Sequence, residues 1–319
     1  MKRWIAFLPA LALCAVCLTG CAARDTMRGE KLRVVTTLFP YYDFARAITG
    51  GRAEVTLLLS PGREAHSFEP TPLDAVAIAR ADVFVYNGGE SEAWVEDLLD
   101  AAGESVGAAV RMMDYTDARA EEYVEGMQIA KDAAEDEEED SDEIAYDEHI
   151  WTSPKNAAAL CGALCEALCA ADEENADAYR ANCADYVERL DALDARFRAL
   201  RAGAKRDLVV FADRMPLLYF CKEYDLRYRA AFHGCSGDTE PSIATLKFLI
   251  DKVSAEDIPM VYTVDLSSKR IAEAVSEATG AEIGTLYSLQ TISRADFDAG
   301  ETYVSMMERN LAALGEGLT

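Results

Sequence analysis

The sequence is poor in histidine, poor in positive charge and, beyond its first twenty residues, free of the short cysteine motifs that mark metal fingers. It holds three histidines in 319 residues, and 31 lysines and arginines against 57 aspartates and glutamates, a formal net charge of −26. With so little basic surface to neutralise phosphates, the composition argues against nucleic acid as a partner. An acidic surface instead favours the gathering of cations. Once Cys14, Cys17 and Cys21 near the N-terminus are set aside, the remaining six cysteines form no CxxC pair, which argues against a cysteine-rich zinc finger, and the chain has no HExxH motif of the zinc proteases. Beyond the first twenty residues no apolar run is long enough to cross a bilayer.

Those first twenty residues read as a targeting segment. Lys2 and Arg3 form a positive start, Trp4 to Leu18 an apolar stretch too short for a comfortable span, and Leu18-Thr19-Gly20-Cys21 a small-residue end. The tetrapeptide resembles the bacterial lipobox, which makes Cys21 the expected lipidated first residue of the mature protein. Acyl chains there would hold the body on the cell membrane. Residues 1–20 are thus a signal peptide, 21–30 a tether, and the rest an extracytoplasmic, lipid-anchored body.

That body is half apolar and of two-domain size. Short apolar runs at Leu32 to Thr37, Glu54 to Leu59 and Val83 to Tyr86 alternate with helical patterns at Tyr42 to Thr49, Leu73 to Ala79 and Glu92 to Ala102. The second half repeats the alternation, with strands expected at Leu208 to Phe211, Arg227 to Phe232, Met260 to Val264 and Glu282 to Leu286. Alternation of this kind predicts an α/β fold with parallel sheets. Between the halves, Ser153-Pro154 starts a helix, Ser as N-cap and Pro at the first turn. A second helix carries Tyr179, Cys183, Tyr186, Leu190, Leu193, Phe197 and Leu200 at alternating spacings of 4 and 3. Its roughly 27 residues would span about 40 Å, enough to serve two lobes as a strut. The expected organisation is two α/β lobes, 31–172 and 204–319, joined by one long helix over 173–203.

All three histidines fall at strand ends or helix starts. His66 lies in a proline-rich loop after the second strand, His149 in YDEHIW just before Ser153-Pro154, and His233 at the end of an apolar run. A lone loop histidine is ordinarily a surface or core residue; three of three at such ends point to metal ligation, since imidazole is the commonest protein ligand for transition metals. Asp213 and Asp265 are also expected at strand ends, where parallel sheets bind ligands. Cys161, Cys165 and Cys169 share one apolar helix face and read as small buried hydrophobes. One disulfide among Cys183, Cys221 and Cys235 is compatible with the compartment. The acidic run Glu135 to Glu143, within a segment from Glu121 to Asp147, reads as a solvated loop and at most a weak collector of cations beside His149.

Several stretches, in order, resemble one family. PGREAHSFEPTPLD from Pro61, ADVFVYNGGESEAW from Ala81, DEHIWTSPKNA from Asp147, GCSGDTEPS from Gly234 and GTLYSL from Gly284 are similar to landmarks of the substrate-binding lipoproteins of bacterial ABC importers for zinc and manganese, the ZnuA/TroA-like group. The resemblance covers nearly all of the mature chain. It implies two lobes on one backbone helix, a metal held between them, delivery to a membrane permease, and His66 and His149 as ligands from the first lobe. The second lobe departs from the pattern: Asp213-Arg214 stands where the family has a His or Glu ligand, and Tyr287 where it has an Asp. His233 is then expected to supply the missing imidazole and Asp213 an oxygen, with Asp265 in reserve. Three imidazoles and a carboxylate suit Zn²⁺; a more oxygen-rich set would suit Mn²⁺.

The expected protein is a monomeric carrier rather than an enzyme. A zinc metalloenzyme would need an open coordination position and a paired general base, and the latter is not evident. A surface adhesin would not need every histidine at a strand end.

Overall fold

The computed structural model describes residues 31–63, 68–128, 145–236 and 240–319. The signal segment, Cys21, His66 and the acidic run Glu135 to Glu143 lie outside the described residues.

Eight strands form two four-stranded sheets of the same order, β2-β1-β3-β4 and β6-β5-β7-β8. Every strand pairing in them is parallel. The first sheet holds β1 (Leu32–Thr36), β2 (Ala53–Leu57), β3 (Val83–Tyr86) and β4 (Ala108–Arg111). The second holds β5 (Leu208–Met215), β6 (Arg227–His233), β7 (Met260–Val264) and β8 (Glu282–Leu286). Central strands are buried on both faces, which is why β3 and β7 read as unbroken apolar runs, VFVY and MVYTV.

Helices α1 (Phe39–Thr49), α2 (Pro72–Ala79) and α3 (Trp94–Ala102) belong to the first lobe. The pair α4 (Pro154–Ala171) and α5 (Ala176–Gly203) follows it. The second lobe carries α6 (Leu218–Glu223), α7 (Ile243–Ala255), α8 (Arg270–Thr279) and α9 (Arg294–Ala299), and α10 (Tyr303–Leu318) closes the chain. Ser153 caps α4 as expected, its hydroxyl accepting from Asn156 N–H at 3.3 Å. Helix α5 has 28 residues, and Tyr179, Cys183, Tyr186, Leu190, Leu193 and Phe197 are its buried stripe. The stripe serves both lobes: Tyr186 meets Phe44 of α1 at 5.8 Å between ring centres, and Phe197 meets Phe220 of α6 at 4.8 Å.

The lobes are not packed independently. One continuous core runs from Leu32 and Phe44 through the α5 stripe to Tyr262 and Leu318, while each sheet has a smaller apolar cluster on its other face. Asp43 fastens this shared core. Its buried Oδ2 accepts from the Tyr186 hydroxyl at 2.7 Å and from Tyr303 N–H at 2.9 Å, tying α1 to α5 and to the last helix. Burial holds the Asp43 carboxyl above its usual range even though both hydrogen bonds pull it down.

Four sequence expectations need correction. The strand expected to stop at Phe211 continues to Met215, so Asp213 lies inside β5, at a register shift between Phe211 and Arg214. The short edge strand β4 and the one-turn helix α9 had no strong periodicity and were not anticipated. Cys183, Cys221 and Cys235 form no disulfide, and all six described cysteines are free. Finally, the stretch expected as one solvated loop from Glu121 to Asp147 is docked at both described ends. Gln128 N–H donates to Ala231 O of β6 at 2.9 Å, Glu122 pairs with Lys222 at 2.7 Å, and Ala120 bridges Tyr146.

Candidate metal centre

His149 sits at the carboxyl end of the first sheet on a segment whose every neighbour is held. Asn87 Nδ2–H donates to Glu148 O at 2.9 Å, and Ser91 N–H to Glu148 Oε1 at 3.1 Å. The Ser91 hydroxyl donates to Glu148 Oε2, and the Tyr41 hydroxyl to Asn87 Oδ1. Gly89, at φ 92°, makes room for this: a Cβ there would collide with the Glu148 carboxylate. The second lobe closes the set, as Tyr219 donates to Asp147 O at 2.9 Å and Trp151 Nε1–H to Ser288 O at 2.8 Å. A turn that alone would fray is thereby fixed in place and direction.

The His149 ring is buried, with Nδ1 3.2 Å from Asp147 Oδ1. That carboxylate also accepts from His149 N–H at 2.8 Å. A carboxylate on Nδ1 sets the ring's tautomer and orientation.

His233 repeats the arrangement from the second lobe. At the end of β6, its Nδ1 lies 3.0 Å from Glu121 Oε2. Burial pushes the Glu121 carboxyl up, but hydrogen bonds from His233 and Cys235, with the nearby His149, more than offset this and leave it below its usual value. Between the two histidines stands Gly234. A Cβ on it would come within 3.2 Å of His149 Cε1 and 3.0 Å of Met215 O, so only glycine lets the segments approach this closely.

Gly234 also separates two small cavities of opposite character. One is lined by His149, Arg214, Asp265, Ser288 and Gln290. The other is lined by Glu121, Glu122, Asp147 and His233. Arg214, at the position where the family resemblance implies a ligand, thus brings a guanidinium to the first cavity.

Asp213 lines neither cavity. Its Oδ1 accepts from Arg214 N–H at 2.8 Å and its Oδ2 from Val264 N–H at 3.1 Å, so the carboxylate joins β5 to β7 at the bulge. Asp265, the reserve oxygen donor, does face the cavity beside His149, while its Oδ1 accepts from Ser288 N–H at 2.7 Å. Among the described residues no three His, Cys, Asp or Glu side chains stand in preformed metal-ligand geometry. Sequence reasoning missed Asp147 and Glu121. The first was legible as a residue two positions from a histidine; Glu121 was not, because 112 residues separate it from His233.

The comparisons with known proteins agree with this architecture. A family model described as zinc-uptake complex component A, periplasmic, matches residues 34–317. The chain is 31% identical over 309 residues to the zinc-binding lipoprotein AdcA of Streptococcus pneumoniae, covering 95% of this chain and 59% of that protein. It thus spans little more than half of that relative. It is 29% identical over 325 residues to the high-affinity zinc uptake system protein ZnuA of Bacillus subtilis, covering 99% of this chain and 98% of that one. Among solved structures it matches the metal-dependent lipoprotein YcdH of Bacillus subtilis with a TM-score of 0.76 at 28% identity, over 91% of this chain and 100% of that one. It matches the Zn(II)-bound ZnuA-like domain of Streptococcus pneumoniae AdcA with a TM-score of 0.72 at 29% identity, over 90% of this chain and 99% of that one. A family match over nearly the whole body, together with two like-ordered parallel sheets on one long helix, shows that the chain belongs to the zinc-uptake complex component A family.

Proposed function

We propose that the protein captures a divalent transition metal, zinc before manganese, between its lobes and hands it to the membrane permease of an ABC importer, with no chemistry on its cargo. His66, His149 and His233 are the proposed imidazole ligands. A carboxylate of the second lobe is the proposed oxygen ligand; Asp213 would have to give up two backbone N–H donors to serve, whereas Asp265 already faces the cavity. Cys21, lipidated, would keep the body at the membrane that houses the permease.

The observation that carries the reading is the matched pair of imidazoles. One comes from each lobe, each has Nδ1 on a carboxylate, at 3.2 Å and 3.0 Å, and they flank one glycine. Buried imidazole–carboxylate pairs orient ring nitrogens for a metal and raise their basicity. The zinc-bound state of the similar AdcA domain and the zinc-uptake name of the full-length Bacillus subtilis relative support the choice of zinc.

The test is a competitive titration with Zn²⁺ and Mn²⁺, run in parallel on His233→Ala. One zinc per chain, bound far more tightly than manganese and weakened more than about tenfold by the substitution, is the expected result. An unchanged affinity in His233→Ala would remove that residue from the ligand set, and no binding of either metal would end the reading.

A further inference from the structure

Arg214 brings a guanidinium to the cavity that His149 lines. A fixed positive charge there repels a bare dication, so a site for a metal ion alone does not explain it. The same cavity is lined by neutral hydrogen-bonding side chains, Ser288, Gln290 and Thr291. Thr291 is only 9% exposed, and its Oγ1 has no hydrogen-bond partner among the described residues. A buried hydroxyl left unpaired is costly, and it marks a place for a further partner.

The wall that carries these groups is built in advance. Ser288 N–H donates to Asp265 Oδ1 at 2.7 Å, which joins the loops after β7 and β8. Trp151 Nε1–H donates to Ser288 O at 2.8 Å and Phe39 N–H to Gln290 O at 3.3 Å, so the first lobe fixes the loop that holds Thr291. Leu266 and Leu289, one in each loop, take left-handed backbone at φ 62° and 63°. Residues other than glycine hold that conformation only where their surroundings impose it. Arg214 Nη1–H donates to Ser236 O at 3.4 Å, which steadies the guanidinium. Guanidinium, hydroxyl and amide donors on a preset wall suit a planar oxyanion. The Asp265 carboxylate lines the same cavity and repels a dianion more than a monoanion, which favours a carboxylate over a phosphate dianion.

We infer that this cavity is a carboxylate subsite, and that the metal is taken up together with one small carboxylate molecule held by Arg214 and Thr291. The inference rests on the metal-capture reading above and adds a second component to the cargo. One carboxylate oxygen accepts from the Arg214 guanidinium, and the other reaches the metal beside His149. No covalent bond of the carboxylate breaks. Its single negative charge stands between guanidinium and dication, so that repulsion across the cavity becomes attraction on both sides. Metal and carboxylate binding are then mutually dependent, and each raises the affinity for the other by the same factor.

The test is zinc titration of the detergent-solubilised full chain in carboxylate-free buffer, then with acetate or glycine added. After allowance for zinc–carboxylate association in solution, a saturating probe should tighten zinc by about tenfold or more. A gain with glycine alone identifies an amino acid as the co-ligand; an equal gain with acetate identifies a simple carboxylate. Arg214→Gln should abolish the gain, and in carboxylate-free buffer it should bind zinc more tightly than the parent, because a repelling charge has gone. With Co²⁺ as the metal, the carboxyl carbon of the ¹³C-labelled probe should show paramagnetic broadening that Arg214→Gln removes. An Arg214 that only holds the strand end would leave that signal in place. Thr291→Val should diminish the gain, and it carries the test if Arg214→Gln does not fold. Zinc affinity that neither probe changes, or a gain that survives both substitutions undiminished, overturns the subsite and leaves metal capture standing. If no metal binds with or without the probes, metal capture itself falls, and the co-ligand with it.

Discussion

The two sheets share one strand order, yet the segments at their carboxyl ends are held by different means. In the first lobe, Asp147-Glu148-His149 is bonded at every residue, by Asn87, Ser91, Tyr219 and its own backbone. In the second, β5 bulges between Phe211 and Arg214, Asp213 is used for strand pairing, and His233 depends on Glu121, a residue from the connection that follows the first sheet. A site built between lobes can keep one wall constant and let the other vary, because only the summed donor set must satisfy the ion. The departures that the family resemblance implies, at Arg214 and Tyr287, both lie in the second lobe.

The contrast can be broken or sharpened by four experiments, beginning with the largest expected change. Asp43→Ala leaves the Tyr186 hydroxyl and the Tyr303 N–H unpaired in the shared core. It is expected to lower unfolding free energy by about 4 kcal/mol in urea denaturation. A loss below about 1 kcal/mol would show that the lobes do not depend on this joint.

Glu92 gives the first lobe a pH signature. Its Oε2 accepts from Asn87 N–H at 2.7 Å and Gly88 N–H at 2.9 Å, while Oε1 has no hydrogen-bond partner among the described residues. Burial pushes its carboxyl from 4.5 up to about 7. The folded state then holds the proton more tightly than the unfolded chain. Stability from this group is therefore greatest below about pH 4.5 and falls by about 3 kcal/mol as pH rises toward about 7. Glu92→Gln should flatten that segment of the stability–pH curve; a slope that persists would assign it to another group.

Asp147→Asn tests the comparison at the site. The variant can still accept from His149 N–H but no longer raises the basicity of the ring, so zinc affinity should fall on the order of tenfold. The matching variant of the second lobe, Glu121→Gln, removes the carboxylate from His233 Nδ1, and an equal loss of zinc affinity there would mean both walls orient their imidazoles alike. The smallest effects belong to the surface pairs Arg33–Asp82 at 3.1 Å and Arg227–Asp207 at 2.7 Å, one in each lobe. Replacing either arginine by alanine should cost less than about 1 kcal/mol and leave zinc titration unchanged, because such exposed pairs are screened.

Much of the fold was legible in short windows. The period of the α5 stripe, the Ser153-Pro154 start and the apolar runs of β1, β3 and β7 are local properties, set by backbone geometry and burial of neighbouring residues. Edge strand β4 escaped because only Val110 of its four residues is buried, which leaves no alternation to read. Helix α9 escaped because six residues are too few for a period. The histidines were legible as candidates from their places at strand ends, but not their ring partners.

Composition and order of residues determined the α/β alternation, the long joining helix, the acidic character that suits a cation, and the three imidazoles proposed to bind it. Tertiary structure alone decided that Asp213 is tied between strands, that Arg214 faces the cavity beside His149, and that Glu121 reaches His233 across more than a hundred residues. The reason is physical. Hydrophobic periodicity acts over a few residues, whereas a ligand set depends on which chain ends a packed core brings together, and on what each donor is already bonded to when it arrives.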